Sequence, residues 1–128
     1  MSHTFKILVI DDEPGVRESL AEYLQDMGFS VLMAESGEKG LEILTAQPVD
    51  LAIVDMRLPG IDGTQTIVKA LDIQSDLKFI VHTGSVSYQI PEELLSLGFT
   101  SRHILHKPMP GLTTMLETIH DLLGIAPH

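Results

Sequence analysis

The stretch VDLAIVDMRLPGIDG, residues 49–63, decides the fold. Its first half is a short apolar, partly β-branched run, the pattern of a strand buried on both faces. The run ends on Asp55, passes through a Pro59-Gly60 loop and reaches Asp62, a residue type suited to the N-cap of a helix. Working outward, Ile7–Ile10 and Leu77–His82 repeat the strand pattern, and Val31–Ala34 and His103–Leu105 repeat it more weakly. Helical periodicity fills the gaps. Val16, Leu20, Leu24 and Met27 share one face, as do Leu112, Met115, Leu116, Ile119 and Leu123. Pro14 suits a first helical turn, Gly28 a helix end, and Ser36 a second N-cap. The order strand, helix, repeated five times, implies right-handed crossovers and an α/β architecture, a doubly wound parallel sheet covered by helices on both sides.

At 128 residues the chain fits one domain, residues 1–128, with a single core. A 44% hydrophobic content describes a packed globule, and the absence of cysteine removes disulfide and thiolate chemistry. The apolar run near the start is too short for a signal-peptide core, and no run approaches a membrane span, so a cytoplasmic protein with no membrane partner is expected. Eighteen acidic residues against eight basic give a formal charge of -10, which argues against direct nucleic acid binding by this domain.

In such sheets ligands bind at the carboxyl ends of the strands. Asp11, Asp12, Asp55, Thr83 and Lys107 all follow or close apolar runs, so one edge gathers carboxylates, a hydroxyl and an ammonium. Carboxylates gathered there repel unless a cation intervenes. Hard oxygen donors with no His or Cys favour magnesium or manganese over zinc. Asp55, held at the end of a rigid strand, is placed as a nucleophile, and a phosphorylated Asp55 needs balancing positive charge, which the metal and Lys107 supply. Thr83 offers a hydroxyl to a phosphoryl oxygen, and Gly84 leaves room beside it. The six histidines have no metal-ligand spacing, and the methionines read as core filler.

Taken together, VIDDEP (9–14), VDMRLPGIDG (54–63), HTG (82–84) and HKP (106–108) resemble the receiver domains of bacterial two-component response regulators, of the chemotaxis-regulator type. That resemblance implies a flavodoxin-like (βα)5 fold with strand order 2-1-3-4-5. It implies Asp55 as phospho-acceptor, Thr83 and Lys107 as its catalytic partners, and a magnesium ion held by Asp11, Asp12, Asp55 and the backbone carbonyl of Arg57. It further implies a sensor histidine kinase or phosphotransfer protein as phosphate donor, and an unidentified output domain or partner protein. The chain is then no enzyme beyond its own phosphorylation and dephosphorylation. In that family the bond equivalent to Lys107-Pro108 is commonly cis, and the output face would include Gln89–Leu97, Arg102–Leu105 and parts of Pro110–Leu123. Arg57 and Ser85 would flank the path of water to the acyl phosphate.

The chain departs from the family pattern at Ile104, where a Tyr or Phe usually stands three residues before the lysine. The segment Gly98–Lys107 is also somewhat long, and Gly84–Pro91 lacks a clear helical start. Two other functions compete: a receiver fold that signals by contacts without phosphorylation, and an aspartyl-phosphate phosphatase using Asp55. Against the phosphatase, Arg57 stands where a second acidic residue would be required. A flavodoxin role meets Asp11-Asp12-Glu13 where phosphate donors should be.

Overall fold

The computed structural model describes residues 4–84, 88–107 and 112–125. Five strands, β1 (Lys6–Ile10), β2 (Ser30–Ala34), β3 (Leu51–Asp55), β4 (Lys78–Thr83) and β5 (Ile104–His106), form one parallel sheet in the order β2-β1-β3-β4-β5. Five helices alternate with them: α1 (Pro14–Asp26), α2 (Gly37–Ala46), α3 (Gly63–Ile73), α4 (Glu92–Ser96) and α5 (Thr113–Leu123). The flavodoxin-like fold and the strand order expected from the sequence are the ones found.

Strand pleating sorts the core into two layers, because successive side chains point to opposite faces. Ile7, Val9, Leu51, Ile53 and Ile80 pack with Leu20 and Leu24 of α1 and Met115, Ile119 and Leu122 of α5. Leu8, Ile10, Ala52, Val54, Phe79 and Val81 pack instead with Leu44 of α2, Ile67 and Ala70 of α3 and Leu94 of α4. Both faces of the central strands are therefore buried, which is why β3 is apolar up to Asp55 and shows no alternation.

Several local expectations shift. Val49 and Asp50 precede β3 rather than belonging to it, and His103 sits in a 3₁₀ turn (Ser101–His103) instead of opening β5. Met27 is exposed at the C-cap of α1, where Gly28 takes φ 97°, so the buried stripe of that helix ends at Leu24. Met33 is also exposed, because β2 is an edge strand, so neither methionine fills the core. As expected, Ser36 caps α2 and Asp62 caps α3; Asp62 and Gln65 form a reciprocal capping box. Pro14 lies in the first turn of α1. No helix runs through Tyr88–Pro91, and α4 spans only five residues. Ser85, Pro108 with its preceding peptide bond, part of the anticipated output face and residues 126–128 lie outside the described residues.

The loop after Asp55 is fixed by close approach. A Cβ at Gly63 would stand 2.7 Å from both the Asp55 carbonyl oxygen and the Met56 Cα, and Gly63 N–H donates to the Met56 carbonyl at 3.3 Å. Backbone cannot yield there as a side chain could. Gly63→Ala is expected to destabilise the protein by about 1–3 kcal/mol, read as a lower urea midpoint; an unchanged midpoint would show that the loop after β3 is not rigid.

Candidate functional site

Register and pleat together build the site. Asp11 follows β1 two residues beyond Val9, and Asp55 closes β3 two residues beyond Ile53. Lys107 likewise follows Leu105 by two, so all three side chains leave the sheet on its α1–α5 face. Their order across the sheet is then set by the strand order, which puts β1 and β3 side by side and β5 beyond β4. The buried carboxylates of Asp11 and Asp55 thus end adjacent strands, and Lys107 reaches both.

The Lys107 ammonium lies 2.8 Å from Asp11 Oδ2, 3.1 Å from Glu13 Oε1 and 3.4 Å from Asp55 Oδ2. Asp11, Asp12, Glu13 and Asp55 offer carboxylate oxygens that all lie within 4.8 Å of one another. Asp11 and Asp55 are buried, whereas Asp12 and Glu13 are exposed. The backbone braces the acids: Glu13 N–H donates to Asp11 Oδ1 at 3.0 Å and Arg57 N–H to Asp55 Oδ1 at 3.1 Å. Arg17 donates from its guanidinium to the Asp11 carbonyl at 2.8 Å, tying α1 to the end of β1.

The structure therefore gathers Asp11, Asp12, Asp55 and Lys107 as the sequence predicts, with the Arg57 backbone against Asp55. Thr83 closes β4 at the same edge, fully buried, and its carbonyl accepts from Lys107 N–H at 2.7 Å. By the pleat its side chain starts on the face opposite to Asp55. Among the described residues a Cβ at Gly84 would meet nothing within 4 Å, so open space lies beside the end of β4. Sequence reasoning missed Glu13 as a partner of Lys107. The signal was its place immediately before Pro14, where the N-cap geometry of α1 turns it toward the sheet edge.

Burial raises the Asp55 carboxyl above its ordinary 3.8, against the pull of the Arg57 amide and Lys107. Burial also works against the Lys107 ammonium, but its bonds to Asp11 and Glu13 outweigh it and hold the group above the ordinary 10.5. Beside them His82, deeply buried, falls from 6.5 to about 4 and is neutral at physiological pH.

A structure of this class has solved counterparts. A CheY-like response regulator receiver domain protein from Methanospirillum hungatei matches at a TM-score of 0.83 and 27% identity, covering 95% of each chain. The response regulator TrrA of Thermotoga maritima, solved in complex with Mg(2+)-BeF, matches at 0.79 and 30%, covering 93% of this chain and 99% of that one. The chain belongs to the response regulator receiver domain family, whose family model matches residues 7–120. Among curated relatives, the transcriptional regulatory protein GlrR of Escherichia coli K12 is 34% identical over 124 residues, 96% of this chain and 27% of GlrR. Sporulation initiation phosphotransferase F of Bacillus subtilis is 31% identical over 93 residues, 73% of this chain and 75% of that protein. The chain thus spans about a quarter of GlrR. Family membership makes it a signal-transduction module of the two-component type.

The raised Asp55 pKa has a defined sign. Its proton is held more tightly in the folded state, so the stability linked to this group is full below the unfolded value and is lost as pH rises through the folded one. Asp55→Asn in metal-free buffer is therefore expected to be more stable than the parent at pH 7, the gain vanishing as pH falls below 3.8. Urea melts across that range read it; a lower midpoint for the variant at pH 7 would mean that the Lys107 and Arg57 bonds outweigh burial.

Proposed function

We propose that this domain accepts a phosphoryl group on Asp55 from the phosphohistidine of a sensor histidine kinase or phosphotransfer protein. A carboxylate oxygen of Asp55 attacks phosphorus as the phosphorus–nitrogen bond breaks, and the imidazole leaves with the electron pair and takes up a proton. The observation that carries this reading is the Lys107 ammonium bonded to both Asp11 and Asp55. A cation already placed between the acceptor and its neighbour can follow the charge as it moves onto the phosphoryl oxygens.

The residues fit a divalent cation. Four carboxylates share one edge, and among the described residues Lys107 is the cation ion-paired with them, so negative charge remains in excess. At an effective dielectric of about 20, two like charges 4 Å apart repel by roughly 4 kcal/mol. Magnesium, or manganese, would be held by Asp11, Asp12, Asp55 and the Arg57 carbonyl. When bound it supplies charge neutralisation and orientation of phosphoryl oxygens. Asp11 and Asp12 keep that charge near the acceptor, the Arg57 amide fixes the Asp55 rotamer, and Lys107 pairs with the transferred group. Thr83, at the same edge, would donate its hydroxyl to a phosphoryl oxygen.

We read residues 1–128 as one receiver unit that catalyses only its own phosphorylation and dephosphorylation. Its place is the cytoplasm, and its signal passes to an output domain or partner through a shift between two surface states. Among the described residues no helix is long and apolar enough to cross a membrane. The Mg(2+)-BeF complex of TrrA supports the metal assignment by likeness.

Incubation with acetyl phosphate and magnesium is expected to add one phosphoryl group to the wild type, by intact mass, and none to Asp55→Ala. Chelation of magnesium should remove most of the gain. A wild type that stays unmodified, and whose spectrum beryllofluoride leaves unchanged, would leave the fold as a contact module without phosphorylation.

A further inference from the structure

The chain enters β5 through a turn that closes on a titratable side chain. Thr100 and His103 form a reciprocal capping box about the 3₁₀ turn. The His103 N–H donates to the Thr100 carbonyl at 3.0 Å, and the Thr100 N–H donates to His103 Nδ1, also at 3.0 Å. Glu or Gln ordinarily takes the place of His103 in such a box, and either accepts an N–H at any physiological pH. An imidazole accepts only while it is neutral, because the imidazolium has two donors and no acceptor.

The ring is held in place from one side. It packs on Phe99 with ring centroids 5.0 Å apart, and Phe99 packs on Phe79 of β4 at 6.0 Å. With Nδ1 engaged as acceptor, the neutral ring carries its proton on Nε2. Its other side lines a cavity of about 230 Å3 together with Asp76 and with Lys78 at the start of β4, so the half-buried ring is within reach of solvent protons. Asp76 already accepts from Gln74 at 3.0 Å. Arg102 precedes the ring in the turn and pairs with Asp121 of α5 at 2.9 Å. Burial, helped by the charges of Arg102 and Lys78, keeps the imidazole below its ordinary 6.5, against the Thr100 backbone, which favours the charged form.

We propose that protonation of His103 opens this box and frees the start of β5, making the turn between α4 and β5 a pH-sensitive element of the domain. The new Nδ1–H turns to the Thr100 carbonyl, or to the Thr100 hydroxyl 3.4 Å away, and competes there with the His103 amide. The Thr100 N–H then has no acceptor within the box. Arg102 rides on the same three-residue turn, so its tie to α5 loosens with it. The sign follows from the depressed imidazole: the stability linked to the box is full above 6.5 and is lost as pH falls through the lower folded value. This element stands apart from the phospho-acceptor reading and does not depend on it.

The test follows the full chain by NMR, without magnesium or phosphodonor, between about pH 8 and 5, where histidine titrates. Ring nitrogen shifts are expected to place the neutral proton on Nε2, and His103 to titrate below 6.5. Across the same midpoint the Thr100 amide should lose about five-fold in exchange protection, the worth of about one hydrogen bond. His103→Gln, which keeps an acceptor that does not titrate, should hold that protection over the whole range, and His103→Leu should lack it throughout. A neutral proton on Nδ1, a midpoint at or above 6.5, Thr100 protection indifferent to the ring's titration, or a loss that survives in His103→Gln would overturn the proposal. The first three readings come from the wild type, so it stays testable where a variant does not fold. Because no phosphoryl chemistry enters the titration, its failure is separate from any failure of the phospho-acceptor reading.

Discussion

One ammonium among four carboxylates is the constraint on which this molecule's organisation turns. Lys107 reaches Asp11, Glu13 and Asp55 at once, and its bonds tie the β1–α1 loop and the end of β3 to the residue after β5. Breaking them would leave two buried carboxylates at adjacent strand ends with no paired cation among the described residues, and losing a partner from a buried pair is costly. The short β5 strand is anchored by the same residue, since the Lys107 amide donates to the Thr83 carbonyl. Electrostatics at the site and closure of the sheet edge therefore depend on one side chain and its own backbone.

The rest of the fold serves to hold that edge. Two apolar layers clamp the central strands so that β1 and β3 cannot slip, and a one-residue slip would throw Asp11 or Asp55 to the opposite face. The loop after β3 is pinned by the close approach of Gly63 and by the Asp62 capping box, so the backbone that follows Asp55 is not free to drift. Rigidity there suits the acceptor role proposed for Asp55, because a carboxylate nucleophile depends on placement more than on intrinsic reactivity.

The opposite end of the sheet is less regular. A 3₁₀ turn leads into a three-residue β5 that opens on Ile104, and α4 is five residues long. Tyr88, half-buried, sets its hydroxyl 3.4 Å from the Met56 sulfur, next to Asp55 in sequence. An aromatic side chain thus reaches the loop after Asp55 from the segment before α4.

Strand and helix order, the two helix caps and the position of each acid at a strand end were legible in the residues, because periodicity and capping are local properties. The sequence also determined the excess of negative charge at that edge. Tertiary structure alone decided that Glu13 shares Lys107, a pairing across 94 positions, and that Met27 and Met33 lie outside the core. It alone decided that Thr83 and Asp55 start from opposite faces, and that His82 is buried with both ring nitrogens unpaired among the described residues. Those outcomes depend on which strands become neighbours and in what register, and no local pattern encodes the distance between side chains brought together by separate crossovers.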